Sequence, residues 1–320
     1  MNEEELRLAL QPFYDNHEEL GVSVYAILRD PNDPSPKKID IEDAASNGLK
    51  ELFIQSLKDF ITGRDDLTVL NLSTSDERLD AIYVYDLDLP EELTVMESVI
   101  ESDDLPLLDL NVADLSGIKA LLVEIGNNVG QIVLYKTMAS VNIFGRSSFF
   151  LKKSQHRLEK IDNEFLRVSA GFQLLRINET LLVIDLGAIE KSFGFHDVIR
   201  REAALGINSI ENIQLVENSE VLHELLDNVK YARRFTKIAR SSPVLRANVP
   251  NATIINFCKT FPNLAGKMRF NEAEDKIVLD TMVSKDLFIK LLMDDFLTSE
   301  LTNFHYASVA KDSVDEAEEA

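Results

Sequence analysis

IKALLVEI (118–125), GNNVG (126–130) and QIVLYKTM (131–138) form the stretch that decides the fold of this chain. Two apolar runs of strand length flank a turn made of glycine and asparagine, which is how a β-hairpin reads in sequence. A second hairpin signal lies downstream, where FQLLRI (172–177) and LLVIDL (181–186) flank NET (178–180). Upstream, VSVYAIL (22–28) is rich in β-formers and ends at PNDPSP (31–36), with three prolines in six residues. LTVLNL (67–72) and AIYVYDL (81–87) add two further β-like runs.

Helical periodicity alternates with these strands. Leu49, Leu52, Phe53, Leu57 and Phe60 predict a helix over 42–62, and 188–241 reads as helical with breaks near 206–208 and 217–219. Residues 268–270 and 277–279 bracket a polar turn, and 284–295 reads as a helix capped by Ser284, with Asp286 in its first turn. Residues 149–153 alternate poorly, and 88–116 are acidic, carry Pro90 and Pro106, and show weak periodicity. The expected class is α+β, two modules, each a mainly antiparallel sheet with packed helices. The boundary is placed within 139–146, giving an acidic module over 1–140, a second over 141–311, and a disordered acidic tail over 312–320.

Charge supports this division. The chain carries 55 acidic and 33 basic residues in 320, a net −22. Residues 1–130 hold 29 acidic and 9 basic side chains, whereas 131–310 hold 21 acidic and 23 basic. Within the second module, residues 228–271 contain nine Lys or Arg and no Asp or Glu. Lys230, Arg233, Arg234, Lys237 and Arg240 fall at helical spacing, with Tyr231, Phe235 and Ile238 on the adjacent face. That is the pattern of an amphipathic helix which buries one side and offers five cations on the other. A second cluster comprises Lys152, Lys153, His156, Arg157 and Lys160. Such a local reversal of sign suits a polyanion, because each cation that neutralises a phosphate releases condensed counterions. A solvated face that balances the acidic half of the same molecule has the same composition, and both readings stand at this point. Phe149, Phe150 and Tyr231 lie near these cations, and core packing is the first expectation for them.

The run SKDLFIKLLMDDFLTSELTNFHY (284–306), continuing to Lys311, resembles the closing block of the Kiwa KwaB-like family. In that family a helix ends in Leu-Leu-x-Asp-Asp-(Tyr/Phe)-Leu-x-Ser-x-Leu-Thr, followed by a Tyr and a Lys. Here those positions are Leu291, Leu292, Asp294, Asp295, Phe296, Leu297, Ser299, Leu301, Thr302, Tyr306 and Lys311. The hairpin over 172–186 with IEKSF (189–193), and the basic helix over 230–240, are similar to further family blocks. The resemblance covers roughly 145–311. It implies an anti-phage defence protein that binds phage DNA, works with a KwaA-type membrane partner, and forms a homodimer. It implies no catalytic residues. Asp294 and Asp295 are expected to close a helix and hand over to a final strand. On this reading double-stranded DNA is the ligand and Lys152, Lys153, Arg157, Lys160, Lys230, Arg233, Arg234, Lys237 and Arg240 contact it. The protein is expected in the cytoplasm, recruited to the inner membrane by its partner.

Enzymatic motifs are sparse. A Glu-x-Lys occurs at Glu274-Asp275-Lys276, where a metal-dependent nuclease would need further carboxylates, and a polar turn is the expected reading. His17, His156, His196, His223 and His305 have no metal-ligand spacing, and Cys258 is the only cysteine. A nuclease effector and a protein scaffold without DNA binding remain the alternatives. No catalytic residue, cofactor or metal site is expected.

Overall fold

The hairpin over 118–138 is the centre of an eight-stranded sheet in the computed structural model of the chain. The structure describes residues 1–30, 32–33, 35–74, 81–101, 104–127, 130–139, 143–144, 150–153, 157–161, 165–191 and 193–308. The expected tail at 312–320 lies outside the described residues. The fold is mixed α and β, mostly antiparallel, and it divides into two units: Met1–Asn71 with Leu79–Gly194, and Leu72–Arg78 with Phe195–Ala320.

The first unit opens with helix α1 (Glu3–Asp15), strands β1 (Gly21–Leu28) and β2 (Lys37–Ile39), and helix α2 (Asp43–Leu57). Next come β3 (Thr68–Asn71), β4 (Ala81–Val84), α3 (Val95–Glu101), β5 (Ile118–Asn127) and β6 (Gly130–Thr137). Two short ladders pair β7 (Ile143–Phe144) with β10 (Phe165–Leu166), and β8 (Phe150–Lys153) with β9 (Leu158–Ile161). Strands β11 (Leu174–Ile177) and β12 (Thr180–Val183) and helix α4 (Leu186–Lys191) complete it. The sheet order is β2-β1-β5-β6-β11-β12-β4-β3, with β3 and β4 the parallel pair.

Both faces of this sheet are buried, which is why its strands read as apolar runs without clean alternation. Along one face the cross-strand row is Val24, Val123, Leu134, Leu175 and Leu182. Val123, Leu134, Leu175 and Leu182 of this row share one core cluster with Leu6 and Leu10 of α1 and Phe53 and Leu57 of α2, and Val24 belongs to a second cluster with Ala26, Ile39 and Leu121. Along the other runs Tyr25, Leu122, Tyr135, Leu174, Val183 and Tyr83, all buried. An ion pair between Arg176 and Glu97, 3.2 Å, ties α3 to this second face. The β5–β6 turn needs its glycine: a Cβ at Gly126 would meet the Gly130 carbonyl oxygen at 2.6 Å.

The expected boundary is 139–146, whereas the first compact unit runs on to Gly194. Strands β11 and β12 hydrogen-bond to β6 and β4, so the second hairpin extends the first sheet instead of founding a second. Local pattern identifies a hairpin but not the edge it joins. Helix α3 falls within 88–116, where periodicity is weak. Helix α1 is also additional to the expected elements. Its signals are the apolar spacing Leu6, Leu10, Phe13 and a capping box: Asn2 Oδ1 accepts from the Glu5 N–H at 2.9 Å, and Glu5 Oε2 from the Asn2 N–H at 2.8 Å.

The second unit is mainly helical. It comprises α5 (Phe195–Asn212), α6 (Glu220–His223), α7 (Val229–Ser241), α8 (Pro243–Arg246), α9 (Asn251–Thr260) and α10 (Met282–Leu292). Two antiparallel ladders accompany them, β13 (Arg269–Phe270) with β14 (Ile277–Val278), and β15 (Phe296–Thr298) with β16 (His305–Ala307). No break occurs at 206–208. Gly206 lies inside α5, where a Cβ would stand 2.2 Å from the Phe235 carbonyl oxygen, so it is there for close helix packing and not for a turn. The cap of α10 also differs from expectation. Thr281 is the N-cap and accepts from the Ser284 N–H at 3.0 Å, with Ser284 as the third helical residue of a capping box.

Candidate nucleic-acid interface

Helix α7 starts where the Asn228 side chain accepts a hydrogen bond from the Lys230 N–H at 3.0 Å. It ends at Ser242, whose Oγ donates to the Leu292 carbonyl at 2.6 Å and accepts from the Leu245 N–H at 3.2 Å, with Pro243 opening α8. Between these stops Tyr231, Phe235 and Ile238 are buried, as their spacing predicts, together with Ala232 and Thr236. Phe235 is 0% exposed and sits where α5 and α7 touch at Gly206.

The opposite face departs from expectation in part. Lys230 and Arg240 are exposed, while Arg233, Arg234 and Lys237 are half-buried. Arg234 donates to Asp286 on α10 at 3.3 Å, and the Tyr231 hydroxyl donates to the same carboxylate oxygen at 2.9 Å. Burial first, and that hydrogen bond second, push the Tyr231 pKa up. Arg240 grips Glu202 of α5, with Nη2 at 2.8 Å and Nε at 3.3 Å. Carboxylates 38 and 52 residues away in sequence therefore neutralise part of a window that holds none of its own. Farther along it, Lys259 pairs with Glu274 and Arg269 with Asp280, both at 2.6 Å. The side chain of Lys230 has no hydrogen bond or ion pair among the described residues.

The other cluster belongs to the first unit. Lys152 and Lys153 are on β8 and Lys160 on β9, where the register sets Lys152 opposite Glu159. Their side chains, and the whole of His156, lie outside the described residues. Arg157 is exposed just before β9. Of the two phenylalanines near this cluster, Phe149 lies outside the described residues, and Phe150 is known only by its place in β8.

Glu274-Asp275-Lys276 is the polar turn joining β13 to β14. Glu274 has φ +56°, and the Asn271 side chain accepts from the N–H groups of Asp275 and Lys276, both at 3.0 Å. The Lys259 ammonium, bonded to Glu274, holds that carboxyl below its ordinary pKa. Lys276 pairs with Glu217 at 3.4 Å, so the three charges point to different partners. Among the described residues no three His, Cys, Asp or Glu side chains gather as a metal site. Cys258 is buried, and burial pushes its thiol up to about 12. Asp294 and Asp295 do close α10. Asp294 takes the left-handed conformation at φ +55°, and the Asp295 N–H donates to the Lys290 carbonyl at 2.9 Å before β15 begins.

The family described as Kiwa protein KwaB-like matches this chain over residues 115–302, a span that includes β5, β6, the second hairpin, α7 and α10. Kiwa protein KwaB of Escherichia coli O55:H7 (strain RM12579 / EPEC) is 31% identical over 286 residues, covering 86% of this chain and 89% of the relative. No solved structure matches.

Proposed function

The chain belongs to the Kiwa KwaB-like family, a family of anti-phage defence proteins, and on that premise we propose that it acts by holding phage double-stranded DNA through its backbone without cleaving it. The observation that carries this reading is the placement of charge on α7. Its first turn contains no acidic residue and carries Lys230, at the end where the helix dipole is already positive, with Arg233 and Arg234 in the turn that follows. A helix selected for stability alone would carry carboxylates there. Cations kept against the local field suit a surface that meets phosphate. Because Arg234 and Arg240 are already bound to carboxylates, Lys230 is the cleanest reporter of the helix. Contacts from the first-unit cluster would add to it.

With five or six phosphates engaged, log K for a duplex falls against log salt with a slope of about −5. Sequence preference should be small, because phosphate contacts position a protein without reading bases. Lys230→Glu is expected to weaken binding and make the slope shallower by about 1, while adding about 0.3–1 kcal/mol to stability through the helix dipole. Absence of any mobility shift of a duplex at low salt defeats this reading. Unchanged DNA affinity in Lys230→Glu removes α7 from it. That second result would favour the scaffold alternative, for which the Arg234–Asp286 and Arg240–Glu202 pairs speak, since they already satisfy two of the helix's cations within the molecule. Reversing Arg233, Arg234 and Lys237 together is a poorer test, because a carboxylate at 234 would face Asp286. Non-cleavage is checked by incubating plasmid with Mg²⁺ or Mn²⁺. Nicking that disappears in Glu274→Ala would revive the nuclease alternative.

Among the described residues no helix is long and apolar enough to cross a membrane. We propose recruitment by a KwaA-type membrane protein, with the chain as a homodimer. The first 130 residues, 29 acidic against 9 basic, would be repelled by anionic lipid headgroups, so lipid alone should not hold the protein. Membrane fractions from cells with and without the partner gene should differ severalfold in bound protein. Equal amounts in both would remove the partner from the account, and a sedimentation mass of a single 36.1 kDa chain would remove the dimer.

A further inference from the structure

The second face of the eight-stranded sheet opens into a cavity of about 580 Å³ within the first unit. Ile27, Val95 and Leu105 line its apolar wall, and Arg29, Lys119 and Tyr135 line its polar end. Its volume lies in the range of small-molecule sites, and it combines an apolar body with a few convergent polar groups, as such sites do.

Two of those polar groups, Tyr135 and Arg29, have no carboxylate partner among the described residues. Tyr135 is 1% exposed, at the centre of the row between Leu122 and Leu174, with the Phe193 ring edge-on to it at 5.1 Å. Its hydroxyl makes no hydrogen bond among the described residues. Burial and, after it, the charge of Glu92, which also lines the cavity, push its pKa up, so the hydroxyl stays protonated and available to donate. Glu92 itself accepts from Lys119 at 2.6 Å. Arg29 follows β1. Its Nε donates to the Ser116 carbonyl at 3.3 Å and its Nη2 to the Met138 carbonyl at 3.0 Å. No carboxylate among the described residues pairs with this guanidinium. The neighbouring Asp30 instead accepts from the N–H and side chain of Asn32 at 2.9 and 3.0 Å. The cavity therefore presents a guanidinium without a carboxylate partner, an O–H donor and a greasy wall, while Glu92, in the same lining, is taken up by Lys119 and Asp30 by Asn32.

We propose that this cavity binds a small amphipathic anion, its ring-sized apolar body between Ile27, Val95 and Leu105, its carboxylate or phosphate on Arg29, and an acceptor atom on the Tyr135 hydroxyl. The site is independent of DNA binding and assigns a role to the acidic unit.

The chain contains no tryptophan, so naphthyl fluorescence reads binding directly. Suitable probes are 1-naphthoate, 1-naphthyl phosphate and the neutral 1-naphthalenemethanol. At least one anion should bind with Kd below about 1 mM, and at least about tenfold tighter than the alcohol, as expected of a charge-assisted contact. The tighter anion identifies the headgroup. Arg29→Gln should abolish the preference for the anion. Tyr135→Phe should weaken the anion by about three- to tenfold without lowering the unfolding midpoint, because the hydroxyl makes no hydrogen bond that the change would break. Val95→Trp, which fills the wall, should prevent binding; should it fail to fold, the two polar variants decide. The proposal is overturned if neither anion binds below about 1 mM, or if the anion preference survives in Arg29→Gln.

Discussion

Phe235→Ala is expected to lower the unfolding free energy of the second unit by about 3–5 kcal/mol, the largest single loss foreseen in this chain. The ring is fully buried, and it stands where α5 and α7 touch, so its removal leaves a void that two helices must collapse to fill. Collapse is limited because both helices are held elsewhere. Arg240 is clamped to Glu202 on α5, and Tyr231 and Arg234 share Asp286 on α10. Denaturant titration should show a lower midpoint with an unchanged slope for this unit. A midpoint within experimental error of the parent would mean that the ring is not buried in solution and that the helix presents its other face to the core. The contrast with Lys230→Glu is diagnostic, since that exposed change should weaken DNA binding while leaving stability equal to the parent or slightly above it.

Gly206→Ala should also destabilise the protein, although alanine is the better helix former. Helix propensity favours the change by about 1 kcal/mol. Against this, the new Cβ would lie 2.2 Å from the Phe235 carbonyl oxygen and 3.0 Å from its carbon, both backbone atoms that no rotamer change can move aside. Overpacking of this kind costs about 1–3 kcal/mol in ordinary cores, and contact with rigid backbone belongs at the upper end. The net loss expected is about 2 kcal/mol. Gly48 supplies the control. It is an exposed position in α2 where an added Cβ meets nothing within 4 Å, so Gly48→Ala should stabilise by about 0.5–1 kcal/mol. If both substitutions stabilise, the close crossing of α5 and α7 is wrong.

Several features of the fold and of the proposed interface are legible in the amino-acid sequence alone. The paired apolar runs around GNNVG and NET are local hairpin signals, and both hairpins form. The spacing of Tyr231, Phe235 and Ile238 correctly assigns the buried face of α7, because helical periodicity is a property of the segment itself. The Glu274 turn and the close of α10 at Asp294 and Asp295 are likewise short-range chemistry, settled by residues within a few positions of one another. Helix α1 is readable from Asn2, Glu5 and the Leu6, Leu10 and Phe13 spacing, and its acidic start is helix capping.

Helices α1 and α3 and the cap of α10 departed from expectation locally, and the other departures were long-range. Gly206 looks like a helix break until the Phe235 carbonyl is placed beside it. The second hairpin looks like the start of a new module until β11 is seen bonded to β6. The 44-residue stretch without a carboxylate looks uniformly cationic until Glu202 and Asp286 are brought to Arg240 and Arg234. The cavity at Tyr135 joins residues from β1, β5, β6 and α3, and no window of sequence contains them together. The sequence by itself determined the two hairpins, the helices over 43–57, 229–241 and 282–292 and the apolar side of α7, because these depend on dihedral preference and period. Only the tertiary structure decided which charges are neutralised, which glycine is a packing device and which polar groups remain unspent, because those depend on atoms that meet only after the chain has folded.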